Sequence, residues 1–129
     1  MTNAKEKILV IEDDEYSRDA LAHLLVSEGY EAQSASDGES GLAKAHALQP
    51  DVIVLDLNLP GIDGKAVIQM LRGDGPLSEV PILVVTGDED RAGQSAVALG
   101  ADGYLTKPVE FDDLISAIEN LKTGAHRAA

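Results

Sequence analysis

Three short, continuous apolar runs stand out along the chain: ILVI at 8–11, VIVL at 52–55 and ILVV at 82–85. Each is bounded by polar or turn residues, as befits strands covered on both faces of a sheet. Between and after them apolar residues recur at helical spacing, as in Leu21, Leu24 and Leu25 or Leu114, Ile115, Ile118 and Leu121. The pattern predicts strands in KILVIE, YEAQSA, VIVLD, PILVVT and GYLT, and helices over 16–28, 38–48, 64–72, 90–99 and 111–122. Gly29 and Gly100 are placed to stop the helices before them.

Strands alternating with helices imply a parallel sheet clothed on both sides. YEAQSA and GYLT are more polar than the three runs and suit flanking or edge positions. The expected fold is an α/β (βα)5 unit, a doubly wound five-stranded parallel sheet of order 2-1-3-4-5. Its switch point lies between strands one and three, and sites form there at the carboxyl ends of the strands. Helix 90–99 is expected to bury only small groups, chiefly Ala92, Ala96, Val97 and Leu99, and so to be the most mobile. No repeat or low-complexity segment interrupts the pattern, which reads as one domain over 1–123 and a short tail over 124–129.

Length and composition narrow the chemistry. A chain of 129 residues can bury a core without metals or disulfides. It has no cysteine, which excludes a disulfide framework, a thiolate nucleophile and cysteine-ligated zinc or iron–sulfur sites, and fits a cytoplasmic location. The opening MTNAKEK lacks the plan of a signal peptide, and no apolar run approaches the roughly 20 residues that span a bilayer. Ten Lys and Arg against 23 Asp and Glu give a net charge of −13, which repels nucleic acid phosphates and anionic membranes. Neither direct nucleic-acid binding nor membrane binding is expected. One Phe and three Tyr are too few for a base-stacking platform. His23, His46 and His126 share no metal-ligand spacing and read as surface or packing residues.

Asp56 ends the most apolar strand, where a carboxylate is costly unless a partner meets it. Taken singly, each candidate has an ordinary explanation: a surface acid at Asp56, a solvated acidic loop at Glu12, Asp13 and Asp14, a turn cap at Thr86, a surface lysine at Lys107. The expected topology, however, gathers these strand ends on one rim. Clustered carboxylates repel one another unless a hard cation lies among them, which suits Mg2+. A hydroxyl at Thr86 and an ammonium at Lys107 suit the oxygens of a phosphoryl group, and a carboxylate can itself attack phosphorus to give an acyl phosphate. Asp56 is the natural acceptor, since the acidic run is better suited to holding the cation.

At this point ILVIEDD, VIVLDLNLPGIDG, PILVVTG and GADGYLTKP together resemble the receiver domains of two-component response regulators, over nearly the whole chain. The resemblance implies a flavodoxin-like fold and a phosphorylation-activated signalling switch rather than a metabolic enzyme, slow hydrolysis of its own acyl phosphate aside. It implies Asp56 as phosphoacceptor and metal ligand, Asp13 as direct ligand, Glu12 as a ligand through water and the backbone carbonyl of Asn58 as a further ligand. Asp14 falls just after the acidic pair. Mg2+ is the implied cofactor, with Mn2+ able to substitute. Thr86 and Tyr104 take the switch positions, Lys107 the phosphate-binding position before a cis Lys107–Pro108 bond, and Asn58 and Asp88 the positions that tune hydrolysis. The implied partners are a histidine kinase or histidine phosphotransfer protein and a downstream protein on the face made by helix four, strand five and helix five. A monomer or a phosphorylation-dependent dimer is expected.

Two other classes fit less well. A haloacid-dehalogenase-like phosphatase needs a second Asp two residues after its nucleophile, where this chain has Asn58. A flavin carrier of similar fold needs a phosphate-cradling loop after strand one, where EDDEYSR is acidic. A stand-alone receiver is the expected form, with a receiver cut from a longer response regulator or hybrid histidine kinase as the alternative.

Overall fold

All ten expected elements form in the computed structural model, which describes residues 5–87 and 92–122. Lys7–Ile11 (β1), Glu31–Ala35 (β2), Val52–Asp56 (β3), Ile82–Thr86 (β4) and Gly103–Thr106 (β5) make a parallel sheet in the order β2-β1-β3-β4-β5. The helices are Glu15–Ser27 (α1), Gly38–Leu48 (α2), Gly64–Arg72 (α3), Ala92–Leu99 (α4) and Phe111–Lys122 (α5). A 3-10 turn at Gly75–Leu77 was not expected, being too short to show a period. Asp88, His126 and the 124–129 tail lie outside the described residues.

Strand alternation sorts the core into two layers. Leu9, Ile11, Ile53, Leu55, Ile82 and Val84 meet α2, α3 and α4 on one side, with Val67, Ile68, Leu71 and Ala96 facing them. Ile8, Val10, Val52, Val54, Leu83 and Val85 meet α1 and α5 on the other, through Leu25, Leu114, Ile118 and Leu121. The polar strands β2 and β5 are the two edges, as expected, and β3 is buried along its whole length.

Helix starts are set by acids. Asp14, Asp37 and Asp63 accept backbone N–H bonds from Ser17, Ser40 and Ala66 at 2.8, 2.8 and 2.9 Å, opening α1, α2 and α3. Those N–H groups of Ser17 and Ser40 hold the Asp14 and Asp37 carboxyls below the usual range. Gly29 and Gly100 end α1 and α4 with φ of +97° and +122°, in the left-handed region that favours glycine. At Gly64 a Cβ would lie 2.5 Å from Leu57 Cα and 2.7 Å from the Asp56 carbonyl oxygen, so only glycine lets α3 start so close behind the end of β3.

Helix α4 corrects one expectation. Ala96 is buried and Leu99 packs on the core, but Val97 is 44% exposed. One residue further along a helix is a turn of about 100°, which carries Val97 out to solvent. The side chain of Ala92 is outside the described set.

Two polar networks anchor the end of the sheet away from the strands' carboxyl termini. Arg72 donates to the carbonyls of Gly100, Ser78 and Val80 at 2.9, 3.2 and 2.8 Å and to Asp102 Oδ2 at 2.9 Å. Asp102 Oδ2 also accepts the Ile82 N–H at 2.8 Å. On the other face the Tyr30 hydroxyl donates to Glu119, and Lys122 pairs with Glu6 and Glu119 with its ammonium 5.0 Å from the Tyr30 ring centroid.

Burial, reinforced by the Glu119 carboxylate, pushes the Tyr30 phenol up to about 12. Because the folded-state value is raised, the associated stability is present in full below the ordinary value of 10.0 and is lost as pH rises toward about 12. In a spectrophotometric titration of the native protein a late tyrosine step is expected, and Tyr30→Phe should remove it.

Candidate functional site

Strand register brings the candidate residues to one rim. Asp56 ends β3 opposite Val85, Thr86 ends β4 opposite Thr106, and Glu12 follows β1 with its N–H on the Ala35 carbonyl at 3.0 Å. The Lys107 N–H donates to the Thr86 carbonyl at 2.8 Å, extending the β4–β5 pairing by one residue. The Lys107–Pro108 bond is cis.

Alternation then assigns sides. Glu12, Asp56 and Lys107 continue the parity of Val10, Val54 and Leu105, on the α1/α5 side of the sheet. Thr86 continues the parity of Val84, on the side where Tyr104 packs against the other layer.

The charged centre is tight. Lys107 Nζ lies 3.1 Å from Glu12 Oε1 and 3.3 Å from Asp56 Oδ2, bridging two carboxylates whose side chains are 4% and 5% exposed. Burial pulls the Lys107 ammonium down, but the Glu12 hydrogen bond and the charges of Asp56 and Glu12 outweigh it, so its value is raised. Asp13 is exposed beside them, and one oxygen from each of Glu12, Asp13 and Asp56 falls within 4.8 Å of the others. Two inward carboxylates and one facing solvent, all oxygen donors, fit a hard divalent cation that keeps part of its water.

The neighbouring loops define these carboxylates further. The Asn58 N–H donates to Asp56 Oδ1 at 3.1 Å, the Asp14 N–H to Glu12 Oε2 at 3.0 Å, and Arg18 on α1 donates to the carbonyls of Glu12 and Asp13 at 3.0 and 3.3 Å. Asp14, the third acid of the run, is the cap of α1. Thr86 is fully buried and Tyr104 half-buried. Beside Glu12 and Lys107 a cleft of about 490 Å³ opens between α1 and the β5–α5 connection, walled by Tyr16, Ala20, Leu21, Val85, Pro108 and Val109.

Sequence reasoning missed the cap role of Asp14, although Ser17 three residues on is a usual capping spacing. It also missed Arg18, for which no local pattern speaks, and the cleft, which exists only once α1 and β5 meet.

A fold of this topology with this acidic rim defines a receiver, and the family described as "Response regulator receiver domain" matches residues 8–119. The chain belongs to that family. It is similar to the DNA-binding dual master transcriptional regulator RpaA of Synechocystis, 39% identical over 120 residues that cover 89% of this chain and 48% of that protein. It is also similar to the alkaline phosphatase synthesis transcriptional regulatory protein PhoP of Bacillus subtilis, 43% identical over 104 residues, 80% of this chain and 42% of that protein. The chain spans about half the length of the curated relatives it matches. Among solved structures, the chemotaxis protein CheY4 of Vibrio cholerae superposes with a TM-score of 0.86 at 31% identity, covering 92% of this chain and 99% of that one. The receiver domain of a sensor histidine kinase from Pseudomonas aeruginosa, described with a magnesium ion coordinated in its active site cleft, gives 0.86 at 25% identity, covering 93% and 99%. Among the described residues no helix is long and apolar enough to cross a membrane.

Proposed function

We propose that Asp56 is the phosphoacceptor of a cytoplasmic two-component or phosphorelay switch. One carboxylate oxygen of Asp56 attacks phosphorus in line. The bond to the donor's imidazole nitrogen breaks and its electron pair leaves with the imidazole, giving an acyl phosphate on Asp56. Lys107, bridging Glu12 and Asp56 through one ammonium, is the observation that carries this reading. That ammonium is placed to meet a phosphoryl oxygen as charge develops.

Glu12, Asp13, Asp56 and the Asn58 carbonyl would hold Mg2+, or Mn2+ in its place, with Glu12 acting through water. Bound there, the cation neutralises phosphoryl charge. Thr86 then turns its hydroxyl toward the phosphoryl oxygens and Tyr104 repacks against α4, shifting the face made by α4, β5 and α5 toward a state that a downstream protein binds. The cleft beside α1 leaves room for a histidine kinase or phosphotransfer protein to present its phosphohistidine. Water releases the phosphoryl group slowly, at a rate tuned by Asn58, which is exposed beside Asp56, and by Asp88.

The reading holds for a stand-alone receiver and for one belonging to a longer regulator. Its test is the intact mass of the protein after acetyl phosphate, with Mg2+ and with EDTA. One labile phosphate that requires Mg2+ is expected. No adduct, together with no beryllofluoride binding, would leave an interaction domain that works without phosphorylation.

A further inference from the structure

The site accounts for the carboxylates but not for what fixes the loop that carries them. Glu12 and Asp13 sit on the turn between β1 and α1, and the charge repulsion among three clustered acids works to open that turn. Two hydrogen bonds oppose this from below. Arg18, half-buried one turn into α1, donates through one guanidinium nitrogen to the carbonyls of Glu12 and Asp13 at 3.0 and 3.3 Å.

We infer that Arg18 is a positioning residue, whose grip on these two backbone carbonyls holds the Glu12 and Asp13 carboxylates in the arrangement a divalent cation needs. The inference rests on the proposed cation site and deepens it. Its two hydrogen bonds go to backbone oxygens, so it acts through the peptide units that carry the ligands. Asp13 depends on it most. Glu12 is buried and has its own partners in Lys107 and the Asp14 N–H, whereas Asp13 is exposed. Without Arg18, ordering Asp13 becomes a cost met at each binding event.

Charge and placement predict opposite signs here. Removing a positive charge from a chain of net charge −13 should, by field alone, tighten the binding of a cation. Removing a positioning residue should weaken it. Mg2+ titrations followed by amide NMR on the full chain, comparing wild type, Arg18→Gln, Arg18→Lys and Lys44→Gln, separate the two. Lys44 donates to the Ser34 carbonyl on β2, so Lys44→Gln removes the same charge away from the acidic turn.

Arg18→Gln is expected to weaken Mg2+ binding about tenfold, the lower end of what loss of a residue supporting metal ligands usually costs. Lys44→Gln should bind as tightly as wild type or slightly tighter. Arg18→Lys keeps the charge but carries its ammonium on a shorter side chain than the guanidinium nitrogen that reaches both carbonyls, so it should fall between. At saturating Mg2+ the rate of phosphorylation by acetyl phosphate should recover in Arg18→Gln, placing the defect in cation affinity. Arg18→Gln binding as tightly as Lys44→Gln would overturn the inference. So would Arg18→Lys binding as tightly as wild type, the deciding result should the glutamine variant not fold. If wild type itself takes up no Mg2+, the proposed function fails instead.

Discussion

Asp56→Asn should take up no phosphate at all: after acetyl phosphate and Mg2+ its mass should stay unmodified while wild type gains one labile phosphate. The amide is isosteric but has no anionic oxygen to attack phosphorus, so the loss is of the nucleophile and not of the fold. The surroundings are built to tolerate the change. Lys107 keeps its bond to Glu12 at 3.1 Å, and the Asn58 N–H can still donate to an amide oxygen. Removing one of three clustered carboxylates also relieves repulsion, so the metal-free variant should be at least as stable as wild type toward urea. A full phosphate on Asp56→Asn would move the acceptor elsewhere, with exposed Asp13 the first position to replace.

Arg72→Ala should cost stability on the largest scale, about 3–5 kcal/mol, without touching the reaction centre. The Arg72 and Asp102 side chains are 17% and 7% exposed, so truncating Arg72 leaves the Asp102 carboxylate as a mostly buried charge without this guanidinium. Three carbonyls, of Gly100, Ser78 and Val80, lose a donor at the same time. Asp102→Asn should be milder, because an amide oxygen can still accept from the Ile82 N–H. Urea unfolding followed by circular dichroism measures both. A loss below about 1 kcal/mol for Arg72→Ala would put the pair in the class of surface salt bridges.

What was legible in the sequence follows from range. The apolar runs marked the three inner strands because burial on both faces leaves a local, continuous signal, and the polarity of YEAQSA and GYLT assigned them to the edges. Asp56, Thr86 and Lys107 could be gathered at one rim because each ends or follows a strand, and parallel strands align their ends. Arg72 and Asp102 could not be paired in this way: one closes a helix, the other precedes an edge strand, and nothing local records that the chain between them folds back. Val97 was misplaced for a different reason. In a helix of mostly small residues the apolar stripe is faint, so neighbouring positions around the axis are poorly told apart. Asp14 was read by its charge when its backbone position decided its role.

The parity of the strands has a consequence for how such a protein can diversify. Glu12, Asp56 and Lys107 belong to the α1/α5 side of the sheet, while Thr86 and Tyr104 belong to the side shared with α4. The sheet stands between them as a partition, crossed only at its upper edge. Substitutions on α1 that reshape the cleft therefore do not enter the layer where Tyr104 packs. The face made by α4, β5 and α5 straddles that partition: α5 shares its layer with the acidic pocket and α4 shares its layer with Tyr104, so a substitution on α5 borders one and a substitution on α4 the other.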